Sequence, residues 1–597
     1  MAPSETAIIK PALARARGSG STKRLYCLHL VSDPRKTPQS FEPPAPGAWI
    51  LDKSHLTTSC STYGQQLWQD NFVPAFAACF HRYGSLLKSL DWAWVAGFPY
   101  YRIAPVAAPE GATHHPPRDV WDQLMAEHPE VQERLALAEQ TFAERIWRAE
   151  LEHWDTVDKP GAIADNQRLL AVDPMSLDTA GLLEYLEECT RNVARGIQLH
   201  HTYNMTTFVP TGDLIAQGTS LSGRSAADVL GLLQGSTPDA LGTGHLRSRL
   251  DAIAAEPAVR QLLVADDPAT ALEQIAMLPG EAGEMLREVV SFIAYRPVNG
   301  EDVGDTCAFE LPELVLAGIA GELDGLLHDA AADPEQVSEL TEEVRAEVAP
   351  DSRARFDQVL EEARLTYRIR EERAMYGDLW TYGVARRALL AAGTRLVDAG
   401  RLEGHTHLVE ASWPEIRAIL ERNGGPDGAE LAERARYRAE VGFEEMPPLL
   451  GDAPGDPLPL EWLPESSARL EAAIGASIGA MFGAPRDADE NSPIEGIGVS
   501  GGVVEGPARI IDASSDFGRI REGDVLVTRA TTAAFNIVLP LVKGIVTDRG
   551  GLLCHAAVVS REYAIPAVVG TENATSRVAD GARVRVDGTA GTVTVLS

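Results

Sequence analysis

The chain is poor in cysteine, in long apolar runs and in positive charge. Its six cysteines (Cys27, Cys60, Cys79, Cys189, Cys307 and Cys554) are scattered over 597 residues without a CxxC pair. That pattern excludes a disulfide framework and a thiolate metal site, and it fits a reducing compartment. No apolar run reaches the roughly 18 residues a membrane-spanning helix needs. None follows Lys10, Arg15 and Arg17 as a signal peptide would require. A cytoplasmic protein without bound metal is expected. Asp and Glu number 86 against 53 Lys and Arg, a net charge of −33. Nucleic acid and anionic membrane are poor partners for such a surface, and any phosphate site must gather its arginines locally.

What is present reads as an ordinary globular composition, 45% hydrophobic and 23% charged, in a chain too long for one core. The pattern divides it. Residues 1–22, rich in Ala, Ser, Gly and basic side chains, are expected to be a disordered leader. Residues 23–118 are expected to form a mixed α/β segment packed on a helical domain. The segment holds a strand at 25–31, a Pro-rich loop at 34–46, helical spacing from Phe72 to Leu90, and strand-like alternation from Trp92 to Arg102. The helical domain spans residues 119–423, with a long polar loop between Ser291 and Leu314. Helix starts are expected at Asp178 or Thr179 and at Ser352, the latter opening one long helix to Arg387. Residues 424–493 combine helix-like runs with Pro447, Pro448, Pro454, Pro457 and Pro459, a linker or hinge. Residues 494–597 alternate short strands and helices. The expected class is α+β and multidomain: a large helical domain and a C-terminal α/β domain.

Chemistry concentrates near the end. A β-branched strand, Gly544–Thr547, leads through Gly550 and Gly551 to His555, and a short helix runs on to Pro566. A histidine between a Gly-Gly turn and a helix start is well placed to carry a phosphoryl group. The glycines permit close backbone approach, and the helix terminus offers N–H groups and positive dipole. Taken alone, such a histidine is more often a capping or packing residue. Its surroundings are more specific. Gly501–Gly506, Gly523–Val527, the Gly-Gly-x-x-x-His-Ala-Ala core, Arg561–Tyr563, Ile565–Gly570 and Val586–Gly588 succeed one another in fixed order. In that order they resemble the swivelling phosphohistidine domain of the phosphoenolpyruvate-utilising enzymes, which include pyruvate phosphate dikinase, phosphoenolpyruvate synthase and rifampin phosphotransferase. The resemblance implies that His555 is the phosphocarrier, with Gly550, Gly551, Ala556 and Arg561 as candidate phosphate-binding residues.

Upstream, Arg368–Arg373 alternates charge along a helix, which by itself describes a solvated, ion-paired face. With Gly393–Leu402 it is similar to the acceptor-binding domain of rifampin phosphotransferase, where an Arg-Glu pair faces the phosphohistidine. The resemblance places that pair on Arg370 and Glu371. The family's third, lysine position falls on Ala374, with Arg373 one residue earlier. An arginine neutralises the phosphoryl oxygens and a carboxylate takes the acceptor hydroxyl's proton. His200 and His201, adjacent and so unsuited to share a metal, are candidate acceptor-pocket residues near a helix C-terminus. So is His55, in Trp49–His55, which with Gly97–Arg102 resembles the start of phosphoenolpyruvate-synthase-like proteins. There Ala96 stands where relatives carry Asn. The aromatic group Trp92, Trp94, Phe98, Tyr100 and Tyr101 is expected to be core.

No segment resembles an ATP-grasp domain and none resembles the phosphoenolpyruvate-binding TIM barrel. The layout is similar to the larger subunit of phenylphosphate synthase. The resemblance therefore implies a phosphotransferase of the dikinase type with no cofactor bound directly. ATP and Mg²⁺ would be used by a separate ATP-grasp partner, and a small hydroxylated metabolite would be the acceptor. Two alternatives stay open: phosphorylation that drives a dehydration, and a non-catalytic binding or regulatory protein that retains the fold.

Overall fold

A computed structural model describes residues 41–596 apart from 53–55, 57, 238–252, 254–256, 264, 299, 324–333, 484–492 and 513. The expected leader, the strand at 25–31 and His55 lie outside the described residues. No helix among those described is long and apolar enough to cross a membrane.

Strand β1 (Ala48–Leu51) opens a four-stranded sheet of order β2-β3-β1-β4, with β2 at Leu87–Val95, β3 at Phe98–Pro105 and β4 at Leu449–Gly451. Between β1 and β2 runs helix α1 (Thr62–Tyr83), started by Ser61, whose side chain accepts from the Gly64 N–H. Helical spacing in the sequence continues to Leu90, but the helix stops at Gly84, in the left-handed region at φ 82°. A Cβ there would lie 2.4 Å from the Ala138 nitrogen, so only glycine fits the turn. The alternation from Trp92 to Arg102 is likewise two strands. Ala96 (φ 51°) and Gly97 (φ 79°) form the tight turn between β2 and β3. A left-handed first turn position is where Asn is favoured, which accounts for the residue expected there in relatives.

The helical part is built on α2 (Thr179–Thr202), capped by Asp178 through the Gly181 N–H, and α3 (Asn204–Ser222). A further helix, α4 (Pro312–Leu323), comes after the polar loop. The long helix expected over 352–387 is interrupted. It is α5 (Arg353–Thr366), a short α6 (Ile369–Glu372), a π-helical stretch Arg373–Leu379 and then α7 (Trp380–Asp398). Ser352 makes no side-chain cap bond. The π stretch crosses α2 at very short range: a Cβ on Gly196 would lie 2.8 Å from the Gly377 carbonyl. Single π turns of this kind cluster at functional sites.

The region after 424 is tied to the N-terminal sheet and to the helical part. Strand β4 pairs antiparallel with β1. Helix α8 (Glu465–Phe482) lies against α3, where a Cβ on Gly212 would lie 1.8 Å from the Ala473 carbonyl. Glu471 of α8 accepts from the Leu86 N–H at 2.7 Å and the Ser85 hydroxyl at 3.0 Å.

The C-terminal part is an eight-stranded sheet of order β5-β12-β11-β7-β8-β9-β10-β6. Its strands are β5 (Ile494–Glu495), β6 (Ile497–Ser500), β7 (Val503–Ile511), β8 (Asp524–Thr528), β9 (Val542–Thr547), β10 (Ala567–Val569), β11 (Arg583–Asp587) and β12 (Thr592–Val595). The central four, β7 to β10, are parallel, and antiparallel strands flank them. Parallel strands buried on both faces need continuous apolar runs, and Val525, Val527, Val546 and Val568 supply them. The architecture is thus a large helical body with a small sheet of its own, joined to a C-terminal α/β domain.

Candidate active site

Helix α9 (His555–Glu562) begins directly after Cys554, whose extended backbone forms the N-cap. The Gly-Gly turn ahead of it is shaped by α8. Gly550 sits at φ 110°, and a Cβ on Gly551 would lie 2.5 Å from the Ala480 carbonyl. The Gly551 N–H donates to the Met481 carbonyl at 2.9 Å and the Leu553 N–H to that of Ala480 at 2.7 Å. The close approach these glycines allow is therefore to the end of α8, and the Gly551 N–H is spent there. Ala556 occupies the first turn of α9, beside His555.

His555 is buried, and neutral groups hold both ring nitrogens. Thr531 Oγ1 lies 3.0 Å from Nδ1 and Asn536 Oδ1 lies 2.8 Å from Nε2. Nε2 also faces the helical part, 3.7 Å from Glu371 Oε2. Burial, and then the nearby Arg370 guanidinium, push the imidazole down to about 3, so it is uncharged at neutral pH. Glu371, also buried, is pushed up to about 6 by burial, against the opposing pull of Arg370 and Arg373. Arg370 Nε stands 3.5 Å from Glu371 Oε1, and this buried N–H has no hydrogen-bond partner among the described residues. The structure brings together three of the residues singled out in the sequence: His555, Arg370 and Glu371.

The others are placed differently. Arg373 turns away, donating to the His200 carbonyl at 3.0 Å and to Asn204 Oδ1. His200 Nδ1 pairs with Asp378 Oδ2 at 3.0 Å. His201 packs edge-on to Phe72 at 4.4 Å, within an aromatic group that includes Trp68 and Trp92. Arg561, near the far end of α9, donates to the Leu552 carbonyl at 2.7 Å and the Tyr367 hydroxyl at 3.2 Å, fastening the two parts together. Glu562 adds to that seam by accepting from the Gly235 N–H at 2.9 Å. Thr531, Asn536 and Met375, whose sulfur receives the Asn536 Nδ2 at 3.3 Å, were not singled out in the sequence. The available signal was Asn536 as the one polar residue in the run from Ala533 to Leu541 between β8 and β9.

Residues 520–591 match the family model of the PEP-utilising enzyme, mobile domain. Among curated proteins, a rifampicin phosphotransferase of Streptomyces sviceus is 29% identical over 392 residues, covering 63% of this chain and 42% of that protein. Another, from Bacillus cereus, is 49% identical over 110 residues, 18% of this chain and 13% of its own length. An uncharacterized phosphotransferase of Bacillus subtilis, YvkC, is 29% identical over 324 residues, 53% of this chain and 37% of its own. The chain spans at most about two-fifths of the length of these relatives.

Proposed function

Starting from a chain that carries a PEP-utilising enzyme mobile domain and resembles rifampicin phosphotransferases, we propose that it moves a phosphoryl group from His555 to the hydroxyl of a small organic acceptor. The observation that carries this reading is the meeting of His555, Glu371 and Arg370 at the seam between the two parts of the molecule. Nε2 is the ring nitrogen turned towards Glu371, so it bears the phosphoryl group. The acceptor oxygen attacks phosphorus, the O–P bond forms and the N–P bond breaks. The hydroxyl proton passes to Glu371 and on to Nε2, 3.7 Å away, as the electron pair of the broken bond returns there, so the imidazole leaves neutral. A carboxyl group raised by burial to about 6 is well matched to taking that proton near neutrality. The unpartnered Arg370 N–H is a natural partner for the oxygens of the transferring group.

In the same proposal, the phosphoryl group reaches His555 from ATP through a separate ATP-grasp protein, with Mg²⁺ held by that partner and AMP and phosphate released. β-labelled ATP tests this with and without a candidate partner. Acid-labile label on the wild type but not on His555→Ala, and only with the partner, is the expected result. Absence of label with every candidate partner overturns the carrier reading and favours a binding protein. A second reading, phosphorylation-coupled dehydration, would begin with the same transfer and then expel phosphate by elimination. The acceptor product separates the two: a phosphate ester for the first, an alkene with free phosphate for the second.

A further inference from the structure

The amide of Asn536 bridges the two parts of the molecule at the carrier nitrogen. Asn536 lies in the 3-10 turn Ala533–Leu541 of the C-terminal domain and is buried. Its Oδ1 faces His555 Nε2 at 2.8 Å, while its Nδ2 crosses to Met375 in the π stretch at 3.3 Å. Behind that sulfur, at 3.9 Å, stands Nη1 of Arg296, whose guanidinium lies 3.6 Å over the Phe292 ring. Across from Nε2 is Glu371, with Arg370 beyond it.

An amide presents an acceptor at one end and two donors at the other, and a half-turn exchanges them with almost no change of shape. The orientation seen here suits a bare, neutral imidazole. Nε2–H donates to Oδ1, and Nδ1 accepts from the Thr531 hydroxyl. A phosphoryl group on Nε2 removes that N–H and puts anionic oxygens in its place, and Oδ1 would then face like charge. After a half-turn, Nδ2 would donate to a phosphoryl oxygen, and Oδ1 would turn towards Met375, with the Arg296 cation just behind the sulfur.

We propose that Asn536 reads the phosphorylation state of His555 by reversing its amide. It accepts from Nε2–H in the bare state and donates to the phosphoryl group in the charged state, and this reversal lets the same docked arrangement hold both. The inference rests on the carrier reading above but concerns a residue that reading does not use.

The test uses the full chain and phosphoramidate, a small phosphoryl donor that needs no ATP-grasp partner. Asn536→Asp keeps the shape and the acceptor but can never donate, whereas Asn536→Ala removes both. In the bare wild type, nitrogen NMR of His555 is expected to show the Nε2–H tautomer. In Asn536→Asp, His555 is expected to retain phosphate about a hundredfold less well than in the wild type, because the donor is lost and a carboxylate opposes the phosphoryl oxygens. Asn536→Ala is expected to lose about tenfold, as one hydrogen bond to a charged group goes missing. An Nδ1–H tautomer in the bare wild type, or equal retention in the Asp variant and wild type, overturns the role of Asn536 while leaving the carrier reading intact. A wild type that takes no phosphate on His555, from phosphoramidate or from ATP with a partner, overturns both.

Discussion

Two glutamates of the same helical run, Glu362 and Glu371, both expose less than a twentieth of their surface, Glu371 lying deeper, and live in opposite electrostatic conditions. Glu362 accepts from Arg145 at 2.9 Å, from the Trp147 indole N–H at 2.8 Å, and from Arg148 through both Nε and Nη2, at 2.8 to 3.1 Å. Burial raises its pKa, but these bonds outweigh burial and hold it below the usual carboxylate range. Glu372 is similarly saturated, by Arg368, Trp154 and Lys159. The Glu371 carboxylate accepts no hydrogen bond among the described residues. Its neighbours are Arg370 at 3.5 Å and His555 at 3.7 Å, and burial governs its titration. A carboxylate with every lone pair occupied holds helices together. One left under-bonded beside a neutral histidine and a spare arginine N–H is, in the proposed reading, held ready for a group that arrives from outside.

The sharpest way to break this contrast is to neutralise each glutamate in turn. Glu371→Gln keeps the shape and removes the proton acceptor. The rate at which label leaves phosphorylated His555 for an acceptor alcohol is expected to fall by about 10²–10⁴-fold. Its melting temperature is expected to be unchanged or higher, because a poorly solvated charge has gone. A fall in stability with normal discharge would make Glu371 a structural residue like its neighbour. Glu362→Ala is the converse. It leaves the buried Trp147 indole N–H without an acceptor and takes a shared carboxylate from two part-exposed arginines, and chemical denaturation should show a loss of about 1–3 kcal/mol. Discharge per folded molecule should stay at the wild-type rate. Arg370→Ala is expected to slow discharge by about 10²–10³-fold, the scale of removing one preorganised donor from a developing charge. Partial recovery in Arg370→Lys would separate lost charge from lost fork geometry.

The distinction between these glutamates was only partly legible in the sequence. Resemblance pointed to Arg370 and Glu371, and the fixed order of motifs around His555 marked the C-terminal domain and its strands. Periodicity could not show that Glu362 and Glu372 are saturated, because their partners (Arg145, Arg148, Trp154 and Lys159) come from helices some two hundred residues earlier. Nor could it show the π stretch at Arg373–Leu379, since widening a helix for a few residues scarcely alters the spacing of apolar positions. That stretch takes Arg373 out of the site. Further along the same run, Arg386 is buried and bonded to Glu310, and Arg387 reaches the carbonyls of Leu169, Leu170 and Val172, partners that no local spacing reveals. Thr531 and Asn536 were hidden for a different reason. Only the parallel crossover from β8 to β9 returns their turn to the start of α9. Gly84 and Gly97 were visible as glycines, but the helix stop and hairpin turn they impose lay inside a pattern that reads equally well as continuous helix or strand.

The smallest effect is the most diagnostic, because the two glutamates should respond to pH with opposite sign. Glu371 titrates higher in the folded chain, at about 6, than a free glutamate does. The folded state therefore binds the extra proton more tightly, and that contribution is fully present below the unfolded value of about 4.3. It is lost as pH rises through about 6, and by pH 7 the ionised side chain costs about 2 kcal/mol relative to the protonated one. Glu362 is depressed, so its contribution is present above the unfolded value and disappears as pH falls through the folded one. His555, held down to about 3, also weakens the fold as pH falls below its unfolded range, and burial raises Asp305 and Glu562 into the same span, so wild-type curves alone mix several groups. Differences between variant and parent remove that mixture. Unfolding free energies measured from pH 4 to 7.5 should show Glu371→Gln level with the parent at the acid end and ahead of it above pH 6. Glu362→Gln should trail the parent most at the neutral end and close the gap as acid is added. Curves of the same sign for both variants would mean that Glu371 is bonded as fully as Glu362 in solution, and the distinction between a holding and a waiting carboxylate would fail.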